Sequence, residues 1–170
     1  MKKNLLWMFA AILFCGAMTT SCGSDDDDNS GSNTEIVGMR IAYAVEFLPD
    51  YDTLEDYTVS VTWTDSNGKD VTETITKDFV KDVMLKSTQS THGTFVVKCT
   101  PTNSNKEKHD IGLSFAVLAK PMNSVGDVSD SEMREGSNFI FHGRTGEAYK
   151  EFSYSVNFQL VDGIVRKTYN

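Results

Sequence analysis

IVGMRIAYAVEF, residues 36–47, decides the fold class of this chain. Val37, Met39, Ile41, Tyr43, Val45 and Phe47 alternate with Gly38, Arg40, Ala42, Ala44 and Glu46. A period of two sends successive side chains to opposite faces, so one face of this segment is apolar and the other is not. The same period recurs in YTVSVTWT (57–64), where Tyr57, Val59, Val61 and Trp63 alternate with hydroxyl residues. It returns near the end, where Phe152, Tyr154, Val156, Phe158 and Leu160 alternate with Glu151, Ser153, Ser155, Asn157 and Gln159. One dry face and one wet face is the pattern of antiparallel sheets. IGLSFAVLA (111–119) is apolar on both faces and is predicted to lie centrally. Val71–Thr76, Thr94–Thr100 and Asn138–His142 are shorter strand candidates.

No long run carries the helical period. FVKDVML (79–85) is ambiguous: Phe79, Val80, Val83 and Met84 would line a short helix, yet the run also reads as a strand. About eight short strands predict an all-β chain. The expected architecture is an antiparallel β-sandwich, immunoglobulin-like, with a lipocalin-like up-and-down barrel as the alternative.

Two turns follow from register. Asp162-Gly163 suits a two-residue type I′ loop, which sets Leu160 opposite Val165 and Val156 opposite Tyr169. At Asn67-Gly68 a two-residue loop would send the next strand's apolar residues to the wrong face. A three-residue loop, Ser66-Asn67-Gly68, instead pairs Trp63 with Val71 and Val59 with Ile75, with Gly68 left-handed in a G1 bulge. Pro121 to Ser137 is expected to be a long connection. Within it Ser129 and Glu132 have capping-box spacing, and Gly136 is placed to end one helical turn.

Ahead of the strands the chemistry changes. Lys2 and Lys3 precede the apolar run LLWMFAAILFCGAM (5–18), which is shorter than the roughly 18 or more residues wanted for a spanning helix. A signal segment fits better than a retained membrane helix. Thr19-Thr20-Ser21-Cys22 resembles the lipobox of bacterial lipoproteins, although Thr19 stands where leucine is usual. Gly23-Ser24-Asp25-Asp26-Asp27-Asp28 is similar to the acidic export signal of surface-exposed lipoproteins of Bacteroidota. The resemblance implies cleavage before Cys22, lipid on its thiol, and export to the outer membrane through Ser24, Asp25, Asp26, Asp27 and Asp28. Display at the cell surface is expected, with the periplasmic leaflet as the alternative. The expected organisation is a signal at 1–21, a lipidated cysteine with an acidic, polar tether at 22–34, and a single β-sandwich domain at 35–170.

Removing residues 1–21 leaves 149 residues, enough chain to bury a core without staples. Lys2 and Lys3 leave with the signal, so the net charge of −8 becomes −10 in the remainder. Such an acidic chain is a poor nucleic-acid binder, because phosphate contacts need Lys and Arg. It also disfavours adsorption to anionic lipid, so the expected membrane partner is reached through the lipid anchor. Cys15 departs with the signal and Cys22 is modified, which leaves Cys99. It alternates with Phe95 and Val97 and is expected to be a buried, inert thiol.

No metal or cofactor site is expected. His92, His109 and His142 lie far apart without zinc-site spacing, and the first two sit in polar, loop-like surroundings. His142 precedes Gly143-Arg144-Thr145-Gly146-Glu147, which reads as a connecting turn, not a phosphate loop. Asp50, Asp52, Glu55 and Asp56 form one acidic cluster, and Asp127, Asp130 and Glu132 another; neither has calcium-loop spacing. Turn chemistry accounts better for Asp65, Asn67 and Asp70. No nucleophile elbow or metal-binding helix is present, so no catalytic residue is assigned.

The leading expectation is a non-catalytic binding or assembly domain, with a protein or glycan partner. A glycan-binding module would need exposed aromatic platforms, but Trp63, Tyr57, Phe152, Tyr154 and Phe158 fall on apolar faces. Tyr43, Tyr51 and Tyr149 are left undecided. A carrier of a small apolar molecule would need a closed barrel, and a hydrolase or inhibitor would work through the 121–137 connection. Cys22→Ser is expected to abolish incorporation of labelled fatty acid. Undiminished labelling of that variant would remove Cys22 as the lipid-bearing residue.

Overall fold

The computed structural model of this chain describes residues 35–102, 108–125, 131–145 and 150–168, with side chains left out at 143–145. The signal, Cys22, the acidic run and the tether all lie outside the described residues, as do Asp127, Asp130 and Tyr149. Period-two alternation becomes strand wherever it was read. The elements are β1 (Ile36–Phe47), α1 (Thr53–Asp56), β2 (Tyr57–Thr64), β3 (Asp70–Ile75), β4 (Phe79–Lys86), β5 (His92–Pro101), β6 (Lys108–Asn123), β7 (Met133–Thr145), β8 (Phe152–Val161) and β9 (Ile164–Thr168). They make two antiparallel sheets, ordered β4-β1-β6-β7 and β3-β2-β5-β8-β9. The fold is an antiparallel sandwich and not a closed barrel. Among the described residues each sheet keeps two free edges.

Both turn registers are observed. Trp63 pairs with Val71 and Val59 with Ile75, and Gly68 is left-handed at φ 75°. Asp65 secures that turn: its Oδ1 accepts from the Asn67 and Lys69 amides at 2.8 and 2.9 Å. The Lys69 and Asn67 amides hold its carboxyl below the usual range. Asp70 Oδ1 accepts from the Thr64 hydroxyl at 2.7 Å, so this trio is spent on turn and strand contacts. Leu160 pairs with Val165, with Asp162 at φ 51° and Gly163 at φ 76°. The Val156–Tyr169 pairing lies outside the described residues.

Two expectations are corrected and one ambiguity is resolved. Residues 79–85, open in sequence between helix and strand, are strand β4, paired with β1. Their alternation is obscured because Lys81 occupies an inward position, opposite Tyr43. The 121–137 connection is shorter at both ends than expected: Pro121–Asn123 continue β6, and β7 begins at Met133, while Ser129 lies outside the described residues. Gly136 is therefore a strand residue beside Ala116 and not a helix stop. Gly143–Thr145 likewise belong to β7 instead of a turn. One smaller shift occurs in β1, where a bulge between Ile36 and Gly38 brings Ile36 against the core.

The inner faces fill the space between the sheets. Tyr43 meets Phe95 at 5.5 Å, Phe79 meets Trp63 at 5.0 Å, and Phe115 meets Tyr154 at 4.9 Å between ring centroids. Each pair crosses from one sheet to the other. Offset and edge-on ring contacts add to the area they bury. The Tyr43 hydroxyl donates to the Thr64 carbonyl at 3.3 Å, a polar stitch between the layers, and burial raises its pKa. Phe158 lies on Gly93, where a Cβ would sit 2.2 Å from the ring. Only glycine admits that approach.

All four edge strands carry one charged residue at an inward position. On one open side these are Glu73 of β3, opposite Val61, and Lys81 of β4. Lys81 Nζ lies 5.2 Å from the Trp63 ring centroid and 5.6 Å from that of Phe79. On the other side Glu135 of β7 and Lys167 of β9 meet across the sheets at 3.2 Å. An inward charge on an edge strand resists further strands, since extending the sheet there would bury it.

Phe115 is buried, with ring contacts to Phe139 of its own sheet and Tyr154 of the other. Phe115→Ala is expected to cost about 3–5 kcal/mol through the cavity it leaves. The check is a lower urea midpoint at unchanged slope; an unshifted midpoint would contradict this packing.

Candidate functional site

The chemically richest part of the described chain is the end of the sandwich where the β1–β2 connection meets β6. Residues 48–56 must cross from one sheet to the other, and their polar groups are satisfied on the way. The Leu48 amide donates to the Gly112 carbonyl at 2.9 Å. Thr53 Oγ1 accepts from the Gly112 amide at 2.9 Å and donates to the Gly112 carbonyl at 3.4 Å. Asp56, buried, accepts from the Asp110 amide at 2.6 Å. Thr102 closes the other side, its amide donating to the Asp56 carbonyl and its hydroxyl to the Glu55 carbonyl, both at 2.9 Å. Asp56 thereby fixes the start of β6.

Amides alternate sides along β6, so that of Asp110, like that of Gly112, faces the 48–56 connection and not β7; the β6–β7 register shifts between His109 and Ile111. Gly112 lets the Tyr51 ring lie directly on β6; a Cβ there would meet that ring at 2.2 Å. On β7, His142 stands edge-on to Tyr51 at 5.7 Å between centroids. Its Nδ1 lies 3.1 Å from Asp110 Oδ2, with 72% of the imidazole exposed against 15% of the aspartate. An open cleft of 270 Å³ adjoins this group, bounded by Phe47, Leu48, Pro49, Tyr51, Leu54 and Glu55.

This arrangement can orient an exposed imidazole and present it to solvent. A base oriented by a carboxylate is two-thirds of a nucleophilic triad. The contacts of His142 among the described residues are Asp110 and Tyr51, and no hydroxyl or thiol completes the set. Among the described residues no group of three or more His, Cys, Asp or Glu is gathered to hold a metal ion. Of the first acidic cluster, Asp56 is turned inward onto β6. Glu132 is held by Lys120 at 3.2 Å and Arg134 at 3.0 Å.

His109 departs from its expected place on the surface. It is 1% exposed and packs against Tyr57 at 5.8 Å between ring centroids. The polar residues around it in sequence hide its position, because β6 starts three residues before the apolar run does. His92 is exposed, as expected. The Asp110–His142 pairing joins residues 32 apart in sequence, and no local pattern announces it.

Cys99 is fully buried, and burial pushes its thiol up to about 12 from 9.0. Tyr57, Trp63 and Phe158 are buried core and Phe152 and Tyr154 half-buried, as expected; Tyr43 joins the core, and Tyr51 is half-covered against Gly112. Among the described residues no aromatic side chain is among the exposed large hydrophobics, which are Leu54, Val80, Met84, Val125, Ile140, Val161 and Ile164. Among the described residues no helix is long and apolar enough to cross a membrane. Compared with protein families, curated proteins and solved structures, the chain finds no match.

A thiol whose pKa is higher folded than unfolded holds its proton more tightly in the native state. Its contribution to stability is complete below about 9 and declines as pH rises towards about 12. Cys99 is accordingly expected to resist thiol reagents at pH 8 in native buffer and to react fully in denaturant. Rapid native labelling would contradict this burial.

Proposed function

We propose that this chain is a lipid-anchored outer-membrane protein displayed at the cell surface, whose sandwich is a non-catalytic binding or assembly module for protein partners. The observation that carries the reading is the distribution of apolar side chains. Aromatic and aliphatic groups of both sheets meet between the layers, so the domain offers outer faces and edges to a partner. Val80, Met84 and Ile140 are the apolar groups exposed on the outer side of the four-stranded sheet.

Several features support this choice over its rivals. A carrier of a small apolar molecule would use a closed barrel with an apolar cavity, and this fold is an open sandwich. A glycan-binding module would use exposed rings, and no described aromatic is among the exposed large hydrophobics. The enzyme reading has an oriented imidazole at Asp110–His142 but, among the described residues, no nucleophile beside it. Anchoring rests on the lipobox-like Thr19–Cys22 and the acidic run Asp25–Asp28, and lipid at Cys22 gives an acidic protein the attachment its surface charge does not.

Protease shaving of intact cells is expected to release the folded domain, and replacing Asp25–Asp28 with Ala is expected to protect it. Complete protection of the native protein would assign it to the periplasmic leaflet instead. Binding on a glycan array, with no protein recovered by pulldown, would replace the protein-partner reading with the glycan one.

A further inference from the structure

We infer that the end of the sandwich where the chain enters β1 is a membrane seat, at which Val125, Val161 and Ile164 rest in the headgroup region of the bilayer that holds the anchor. The inference rests on the lipid-anchored reading proposed above and gives it a contact surface and an orientation.

Strand directions define that end. β1 starts at Ile36, beside Asn123 at the close of β6. A Cβ on Gly163 would lie 3.4 Å from Ile36 Cγ1, so the β8–β9 turn stands against the same residue. The 123–125 turn and the 162–163 turn therefore flank the entry into β1. Among the described residues seven large hydrophobics are exposed, and three of them gather here. Val161 and Ile164 pair across the foot of the tight Asp162-Gly163 turn. Val125, 72% exposed, sits two residues past the end of β6. Of the other four, Leu54 lies in α1 at the opposite end, and Val80, Met84 and Ile140 lie on the outer side of the four-stranded sheet.

The length of the tether chooses the occupant. Thirteen residues, 22–34, run from the lipid-bearing cysteine to Glu35. A chain of that length spans at most about 45 Å, and a flexible one has a mean reach of about 20 Å. β1, with twelve residues, is itself about 40 Å long. The entry end is thus held close to the bilayer, whereas bringing the opposite end down would use nearly all of a fully stretched tether. A soluble partner would have to enter the gap that the tether keeps narrow. Aliphatic side chains on tight turns suit the boundary between headgroups and acyl chains. Asp162, between Val161 and Ile164, limits the depth, because a carboxylate is costly below the headgroups. Three such side chains make a weak contact alone, and tethering makes it effective by keeping the local lipid concentration high. In this orientation β1 runs away from the membrane, and the 48–56 connection with Asp110–His142 faces outward.

Site-specific labelling tests the seat in the full lipoprotein, reconstituted in phosphatidylcholine vesicles that carry a nitroxide quencher on their headgroups. With Cys99 buried and Cys22 consumed by lipid, a fluorophore on Val125→Cys, Val161→Cys or Ile164→Cys reports that position alone. Quenching is expected to be several-fold greater at 125, 161 and 164 than at the references Leu54→Cys and Met84→Cys. Ile164→Glu, with an unchanged circular dichroism spectrum, is expected to lower the quenching of a label at 125. Equal quenching at 164 and 54, stronger quenching at 84, or no effect of Ile164→Glu overturns the seat and leaves the anchor standing. A wild-type chain that fails to float with the vesicles and takes up label at Cys22 overturns the anchor, and the seat with it.

Discussion

The register between β1 and β6 is the constraint on which the rest of this sandwich depends. These strands lie side by side in the middle of the four-stranded sheet, and both faces of the pair are buried. On the inner face Met39, Ile41, Tyr43 and Val45 join Leu113, Phe115, Val117 and Ala119 in the core. On the outer face Ala42, Ala44 and Leu118 form a second, smaller apolar cluster. A slip of one residue would exchange these two sets, driving tyrosine and phenylalanine outward and alanine inward. Large residues on one side and small ones on the other therefore specify a single pairing. Crossing partners such as Phe95 and Tyr154 then find their rings in fixed positions.

The open sides pose the opposite problem. An interior must stay dry while edge backbones stay solvated, and each edge strand resolves this with a charge where its alternation calls for an apolar residue. Lys81 rests its ammonium over Trp63 and Phe79, so its stem covers rings while its charge marks the boundary. Glu135 and Lys167 form an ion pair between the layers, joining the two sheets. The Tyr154 hydroxyl reaches Glu135 as well, at 3.5 Å.

Most of the fold is legible in the sequence because its strands obey a local rule. β1, β2 and β8 alternate cleanly, and both hairpin registers follow from matching apolar faces across a turn. β4 escapes that rule through Lys81, whose inward position makes sense only beside Trp63 on a strand of the other sheet. The ends of β6 and β7 escape it too, since Pro121 and Gly136 look like breakers until Met39 and Ala116 stand opposite them. The candidate site is less legible. Tyr51 on Gly112 and Asp56 on Asp110 are made where the chain crosses between sheets, and Asp110 meets His142 across the β6–β7 pair; neither kind of contact leaves a local periodicity. Burial of His109 is hidden for the same reason, as its neighbour Tyr57 belongs to the opposite layer.

The position of β1 has a mechanical consequence. It is the first strand of the described chain, yet it is flanked on both sides, by β4 and by β6. A pull applied at Glu35 along the strand and opposed through the rest of the domain would load both ladders in shear, so that many hydrogen bonds must fail together. An edge strand in the same place would peel away one bond at a time. A domain held at this end and tugged at the other would withstand flow or drag by the same arrangement that gives it a core.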